Sequence, residues 1–367
     1  MIRSLDIAFF GSSLVSSYWN GAATYFRGLL RALAARGHRI TFYEPDAFER
    51  HAHRDIEDPP WARVVVYSGT EIGQVFRVID DARRADVIIK ASNVGVWDEI
   101  LEAELLASKR SSSQAFFWDL DAPTTLERLR TRADDPFRPL VAKFDAILTQ
   151  GGGAHVVRGF RAVGARRCVP IYGALDPSTH RRCTSDPQWS AHLTLLANRF
   201  PDRESRIEEL FFRPARSLSD RMFLLAGNGW AGRETPANVR SIGHVSTSDH
   251  NVLNSSARMV LDVSRDDTAS CGWCPSSRLF EATGARACVI TDGWDGIEQF
   301  LEPDVEVLVA RDGEDVSRHL RDIHDSRARA IGEAARKRVL CEHTYAHRAR
   351  EVEALLLHTE RAVEVSP

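Results

Sequence analysis

Short apolar runs alternate with helical patterns along this chain, twice over, and a stretch without hydrophobic periodicity separates the two series. In the first series the runs Leu5–Phe10, Ile40–Tyr43, Val64–Tyr67, Val87–Lys90, Ala115–Trp118 and Ala146–Thr149 read as strands. After the first run, Tyr25, Phe26, Leu29, Leu30 and Leu33 recur at helical spacing, and Gly37 is placed to end that helix. The second series predicts strands at Leu193–Leu196, Phe223–Ala226, Met259–Val263, Cys288–Thr291 and Val305–Val309. Helices are expected at about Arg203–Phe212, Ser277–Thr283, Val316–His324, Ser326–Leu340 and Ala346–Arg361. Strands alternating with helices build parallel βαβ units, so the fold class is α/β, two doubly wound sheets of Rossmann-like form. Pro177–Trp189, with two prolines, two serines and two threonines, reads as the linker between them. The expected layout is a first domain over 1–176, a linker over 177–189, a second domain over 190–345, and a C-terminal helix in 346–367 that packs back on the first domain.

At 367 residues the chain is long enough for two such domains, and 43% hydrophobic with 27% charged residues is the balance of a soluble globular protein. A formal net charge of -3 argues against a general nucleic-acid binder, which carries a basic excess. Only four lysines occur (Lys90, Lys109, Lys143 and Lys337), so arginine supplies nearly all the positive charge and a single arginine in a motif carries little information. The apolar run Ile7-Ala8-Phe9-Phe10 is short, follows Asp6 and reads as a strand rather than an export signal. No stretch approaches the roughly 20 apolar residues that span a bilayer. A cytoplasmic location without a transmembrane segment is the expectation.

Six cysteines in a chain of this length do not make a disulfide framework. Cys271-Gly272-Trp273-Cys274 has the spacing of a redox pair, but it lies late, in a Ser/Gly/Pro-containing loop, and no second pair completes a zinc site. Two reduced cysteines in a loop are the expectation.

The segment with the most chemistry is Ser276-Ser277-Arg278-Leu279-Phe280-Glu281. Ser276 and Ser277 are good N-caps and Gly284 a good stop, so a short helix follows. Unpaired amides and the positive dipole end at such a helix start attract a diphosphate, and Glu281 can accept bonds from the two ribose hydroxyls of a nucleotide. By local pattern alone, a surface helix with a solvated glutamate is the better explanation of these residues.

Longer runs add weight. Pro275-Ser-Ser-Arg-Leu-Phe-Glu-Ala-Thr-Gly284, Val289-Ile-Thr-Asp-Gly-Trp-Asp-Gly-Ile-Glu298 and Glu306-Val-Leu-Val-Ala310 resemble the CgeB-like (spore-maturation type) glycosyltransferases, relatives of the group 1 enzymes of GT-B architecture. Phe117-Trp-Asp-Leu-Asp-Ala-Pro-Thr-Thr125, Asn198-Arg-Phe-Pro-Asp-Arg203, Leu225-Ala-Gly-Asn-Gly-Trp230, Asn238-Val-Arg-Ser-Ile-Gly-His-Val245 and Glu342-His-Thr-Tyr-Ala-His-Arg348 fit as well. The resemblance covers nearly the whole chain and is strongest in its second half. It implies two Rossmann-like domains facing each other across a cleft that closes over the substrates. It also implies sugar transfer from a nucleotide-diphosphate donor (UDP-, GDP- or dTDP-linked) to a small-molecule, glycan or protein acceptor, with no permanently bound cofactor or metal.

Carried over, Glu281 matches the glutamate that holds the donor ribose, and Ser276, Ser277 and Arg278 lie where the diphosphate meets the helix. Asn228 and Gly229 fall in the opening of the nucleotide-binding domain, and Gly243 and His244 where backbone meets the base. Arg199, Arg203 and Arg265 are candidate phosphate ligands. One departure matters: the first acid of the Glu-x7-Glu pair of many retaining relatives is replaced by Trp273, so retention of configuration is not inherited.

On the acceptor side, Asn20, Gly21 and Thr24 close the loop after the first strand, and Gly152 lies in Gly151-Gly152-Gly153 before another helix. Asp119-Leu120-Asp121 has the form of the manganese-binding Asp-x-Asp of GT-A enzymes, but the donor signature sits in the other domain. Asp119 and Asp121 are therefore candidate bases for the attacking hydroxyl, or caps of the next helix. A sugar-nucleotide epimerase on the same fold and a non-catalytic, coat-associated sugar-binding protein are the alternative functions.

Overall fold

The computed structural model describes residues 3–18 and 20–358, without the side chains of Asp267, Thr268, Ser270 and His358. The expected C-terminal helix therefore runs partly outside the described residues. The chain divides into two compact units, 1–172 with 345–367, and 173–344.

The first unit contains a seven-stranded sheet of β1 (Asp6–Phe10), β2 (Arg39–Asp46), β3 (Ala62–Ser68), β4 (Val87–Ala91), β5 (Gln114–Asp119), β6 (Ala146–Thr149) and β7 (Cys168–Pro170). Its order is β3-β2-β1-β4-β5-β6-β7 and every pairing is parallel. The central strands are apolar on both faces because helices cover both faces, as a parallel sheet requires. Phe10, Tyr43 and Tyr67 pack with Val75, Ile79, Leu101 and Leu105 on one side. Phe9, Phe26 and Trp118 meet ring to ring elsewhere in the core.

The second unit holds β8 (Ala191–Leu196), β9 (Phe223–Ala226), β10 (Val239–Gly243), β11 (Ala257–Asp262), β12 (Cys288–Asp292) and β13 (Leu308–Ala310). Their order is β10-β9-β8-β11-β12-β13, again all parallel. Leu193, Leu195, Leu225, Met259, Leu261 and Ile290 form its core with Phe211, Phe212, Val316 and Ile331 from the helices.

Two edge strands escape a reading by apolar runs. β7 is three residues ending in Pro170, and β10 carries exposed Arg240 and Ser241. Edge strands tolerate proline and polar residues because one side of their ladder is unpaired. The strand expected at Val305–Val309 starts at Leu308 instead. Asp304 takes a left-handed φ of 62°, and its amide bonds the carbonyl of Val307, so a turn occupies the expected start of the strand.

The expected helix Arg203–Phe212 is the regular helix Pro201–Ile207 followed by a π-helical turn, Glu208–Phe212, and the helix Arg213–Ser217. Pro214 has no amide to give to an α-helical ladder, and its ring crowds the carbonyl four residues earlier, which favours the wider turn.

Residues 177–189, read as a linker, are counted in the second unit. There the Arg181 amide bonds Asn251 Oδ1 at 2.9 Å and the Asp186 amide bonds Ser256 Oγ at 2.8 Å. The helix Tyr345–His358 is counted with the first unit. Its Tyr345 ring lies so close to Gly28 that a Cβ there would meet ring carbon Cδ2 at 2.2 Å, so only glycine admits this helix pair. His38 Nε2 lies 3.0 Å from Glu353 Oε1, and Arg36 pairs with the same carboxylate. Among the described residues no helix is long and apolar enough to cross a membrane.

Candidate functional site

In an open parallel sheet, ligands bind beyond the carboxyl ends of the strands, where the strand order reverses. In the second unit the reversal falls between β8 and β11. The segments leaving those ends contain Arg199 and Arg203 after β8, Asn228 and Gly229 after β9, Gly243 and His244 at β10, and Arg265 after β11. The helix Ser277–Gly284 begins in the same region, because Ser276 reaches back to Asp262 at the end of β11.

The helix start is held from within. Ser276 Oγ accepts the Leu279 amide at 3.0 Å and donates to the Asp262 carboxylate at 2.8 to 2.9 Å. That hydroxyl is a cap, which leaves the first-turn amides of Ser277 and Arg278 for an anion. Gly284, expected as a stop, is instead the last helical residue. A Cβ there would lie 2.4 Å from Leu175 Cδ1.

Two guanidiniums converge beside Asp262. Arg278 Nε stands 3.6 Å from an Asp262 oxygen. Arg203 is 3% exposed, donates to the Asn198 carbonyl at 2.7 Å and lies over the Phe200 ring. Burial, then the neighbouring Arg278, pushes the Arg203 guanidinium down to about 10, and its Nε has no partner. Asp262 is itself enclosed, and burial pushes its carboxyl up despite Arg278 and Ser276. Two crowded guanidiniums sharing one buried acid make a place with charge left over for an anion.

The other two arginines are differently engaged. Arg199 pairs with Glu204 at 2.7 Å, and Arg265 pairs with Asp202, so both form ion pairs near the surface. Asn228 and Gly229 are exposed, with the Asn228 amide on Asn198 Oδ1 at 2.9 Å and Gly229 in a left-handed turn. Gly243 is left-handed with open space at its Cβ position, and His244 is exposed beside it. That rim offers backbone and an aromatic ring to a flat ligand.

Glu281 sits one turn into the helix and is 8% exposed. His250 Nδ1 lies 3.3 Å and His180 Nε2 3.7 Å from its Oε2. Burial alone would raise this carboxyl, but His180, His250 and Arg278 outweigh it and hold the acid at about 2. The two histidines escape a reading of the sequence, because His180, His250 and Glu281 follow one another at intervals of 70 and 31 residues and make no local pattern. The three donor atoms lie within 4.8 Å of one another, close enough to hold a metal ion.

Trp273 is left-handed at φ 46° and half-buried. Its ring covers the Gly296 turn, and its amide bonds the Asp295 carbonyl at 2.7 Å. Asp292, at the end of β12 and also unflagged by the sequence, pairs with Arg206 and takes the Ser264 hydroxyl at 3.0 Å.

In the first unit the strand order reverses between β1 and β4. Asn20 organises the loop after β1, accepting from Ser12 and donating to the Ser13 and Ser16 carbonyls. Gly21 is exposed at the helix start without a side-chain cap, and Thr24 is half-buried one turn on. Gly152 is left-handed, with Val156 where its Cβ would be. Asp119 ends β5 fully buried and accepts the Asp121 amide at 3.0 Å, and burial pushes its carboxyl up. Asp121 is half-buried at the cap position of Ala122–Thr131 but makes no side-chain cap bond.

Residues 203–354 match the family model described as glycosyl transferase-like. No curated protein matches the chain in sequence. Among solved structures, Anabaena HepE in complex with UDP-glucose is similar at a TM-score of 0.66 and 11% identity, over 96% of this chain and 99% of that one. Sucrose-phosphate synthase from Thermosynechococcus elongatus gives 0.68 and 16%, over 98% and 100%. An alpha-glucosyltransferase in complex with UDP and a 13-mer DNA gives 0.71 and 10%, over 97% and 100%. Because that neighbour holds DNA, net charge alone does not decide against a nucleic-acid acceptor. At these identities the likeness establishes the fold. With the GT-B fold over nearly its whole length and a glycosyl transferase-like domain, the chain is an enzyme of the glycosyltransferase class.

Proposed function

We propose that the second unit binds a nucleotide-diphosphate sugar and that the enzyme passes the sugar to an acceptor hydroxyl or amine. The observation that carries this reading is the pair Arg203 and Arg278 beside Asp262, at the start of the helix that bears Glu281. The two guanidiniums and the first-turn amides take the diphosphate, and Glu281 takes the ribose hydroxyls. Gly243 and His244 flank the base, while Arg199 and Arg265 stand at the outer edge.

In the reaction, the bond between the anomeric carbon and the diphosphate oxygen breaks and a bond to the acceptor forms. The departing diphosphate gathers negative charge, and Arg203 and Arg278 are placed to stabilise it. Guanidiniums supply the charge that a metal ion supplies elsewhere, which supports a metal-independent reaction. The acceptor is assigned to the first unit, near Asn20, Gly21, Thr24 and Gly152. Asp121 is the better candidate base, since Asp119 is enclosed. The motif series from Phe117 to Arg348 supports a place in the CgeB-like branch.

UDP-glucose, bound in the HepE structure, is the first probe, followed by GDP- and dTDP-sugars. A matching nucleotide raises the melting temperature by linkage, and Glu281→Ala reduces the rise. No shift with any of these nucleotides would overturn the reading.

A further inference from the structure

We propose that His180 and His250 are positioning residues for the donor, fixing one oxygen of the Glu281 carboxylate so that the other is presented to the nucleotide's ribose hydroxyls. This rests on the donor reading above and adds two residues to it.

Both imidazoles face a single oxygen. His250 Nδ1 and His180 Nε2 approach Oε2, and among the described residues no hydrogen bond reaches Oε1. The His180 ring is locked on its far side, where Nδ1 lies 3.0 Å from Thr179 Oγ1 in a turn closed by the Thr179 and His180 amides on the Asp176 carbonyl. Its Nε2 is buried, has no hydrogen-bond partner, and is turned towards Glu281. A buried polar nitrogen in that state is costly, and a charge opposite it offsets the cost. His250 opens the helix His250–Ser256, so the two rings come from separate elements and converge on a third.

A glutamate has three rotatable bonds, and binding a diol with it means freezing them. A carboxylate already held by two imidazoles has lost that freedom before the ligand arrives, so less affinity is lost on binding. The depressed Glu281 carboxyl agrees with an ionised acid that accepts from His250 and faces His180 across a charge contact. Two imidazoles and a carboxylate also match the ligand types of a zinc-class ion, and the test separates that case.

Isothermal titration calorimetry first selects the tightest of UDP, GDP and ADP, then compares it with its 2′,3′-dideoxy form. The variants are Glu281→Gln, His180→Leu, His250→Leu, His180→Gln and His250→Asn. Gln and Asn keep an N–H near the Nε2 and Nδ1 positions, respectively. Each Leu variant is expected to weaken the ribonucleotide about tenfold and leave the dideoxy form unchanged, which also reports an intact fold. The Gln and Asn variants are expected to retain the ribose preference.

Equal weakening of both probes by the Leu variants would mark a structural role and overturn the proposal. So would Gln and Asn variants that behave like Leu, or a preference that a chelator abolishes and Zn²⁺ restores. If Glu281→Gln loses the preference while the Leu variants keep it, the donor reading stands and this proposal falls. If the wild type binds no diphosphate, or shows no ribose preference, the donor reading itself fails and takes the proposal with it.

Discussion

Replacing Glu281 by glutamine isolates its charge while keeping its shape. The folded protein holds this carboxyl at about 2, against an ordinary 4.5, although burial opposes ionisation. The partners that win are His180, His250 and Arg278. Each pKa unit corresponds to about 1.4 kcal/mol, so ionised Glu281 stabilises the fold by about 3 kcal/mol relative to its protonated form. Glutamine stands in for that protonated form, and Glu281→Gln should cost about 3 kcal/mol at neutral pH. For a folding unit of this size that is a drop of about 6–12 °C in Tm. The sign with pH follows from the depressed value. The stabilisation is complete above 4.5 and is lost as pH falls through about 2, so near pH 3 the difference shrinks to about half. Differential scanning calorimetry of both proteins at pH 7 and pH 3, without nucleotide, measures it. Equal melting temperatures at pH 7, or a difference of the same size at both values, would refute the account of this carboxylate.

Four further outcomes are expected. With the diphosphate at Arg203 as proposed, Arg203→Leu would remove a charged contact to it, so nucleoside diphosphate affinity should fall about 10–100-fold while nucleoside affinity holds, both read by calorimetry. Gly284→Val forces a side chain onto Leu175 Cδ1, 2.4 Å from the Cβ position, and should cost about 1–3 kcal/mol in urea unfolding. Asp121→Asn should lower kcat at least a hundredfold if Asp121 is the base, whereas near-normal turnover would eliminate it; Asp119→Asn should instead act chiefly through stability, because that carboxyl is enclosed.

Much of the fold is legible in the sequence because parallel strands between two helix layers are apolar on both faces. β1, β4, β6, β9 and β12 appear as plain hydrophobic runs for that reason. β7 and β10 do not, since a short edge strand needs no apolar run. The apolar Val305 misleads because it is 49% exposed on a turn that local apolarity does not mark.

At the site, the sequence determined the helix that begins at Ser276 and the presence of Arg278 and Glu281 upon it, because capping is a matter of a few consecutive residues. It also placed arginines after β8 and β11 without distinguishing among them. Only the tertiary structure separated buried Arg203 from Arg199 and Arg265, which are paired with Glu204 and Asp202. Only the tertiary structure brought His180 and His250 onto one oxygen of Glu281. Electrostatic environment depends on distances between residues far apart in the chain, and those distances exist only once the sheet has ordered its strands.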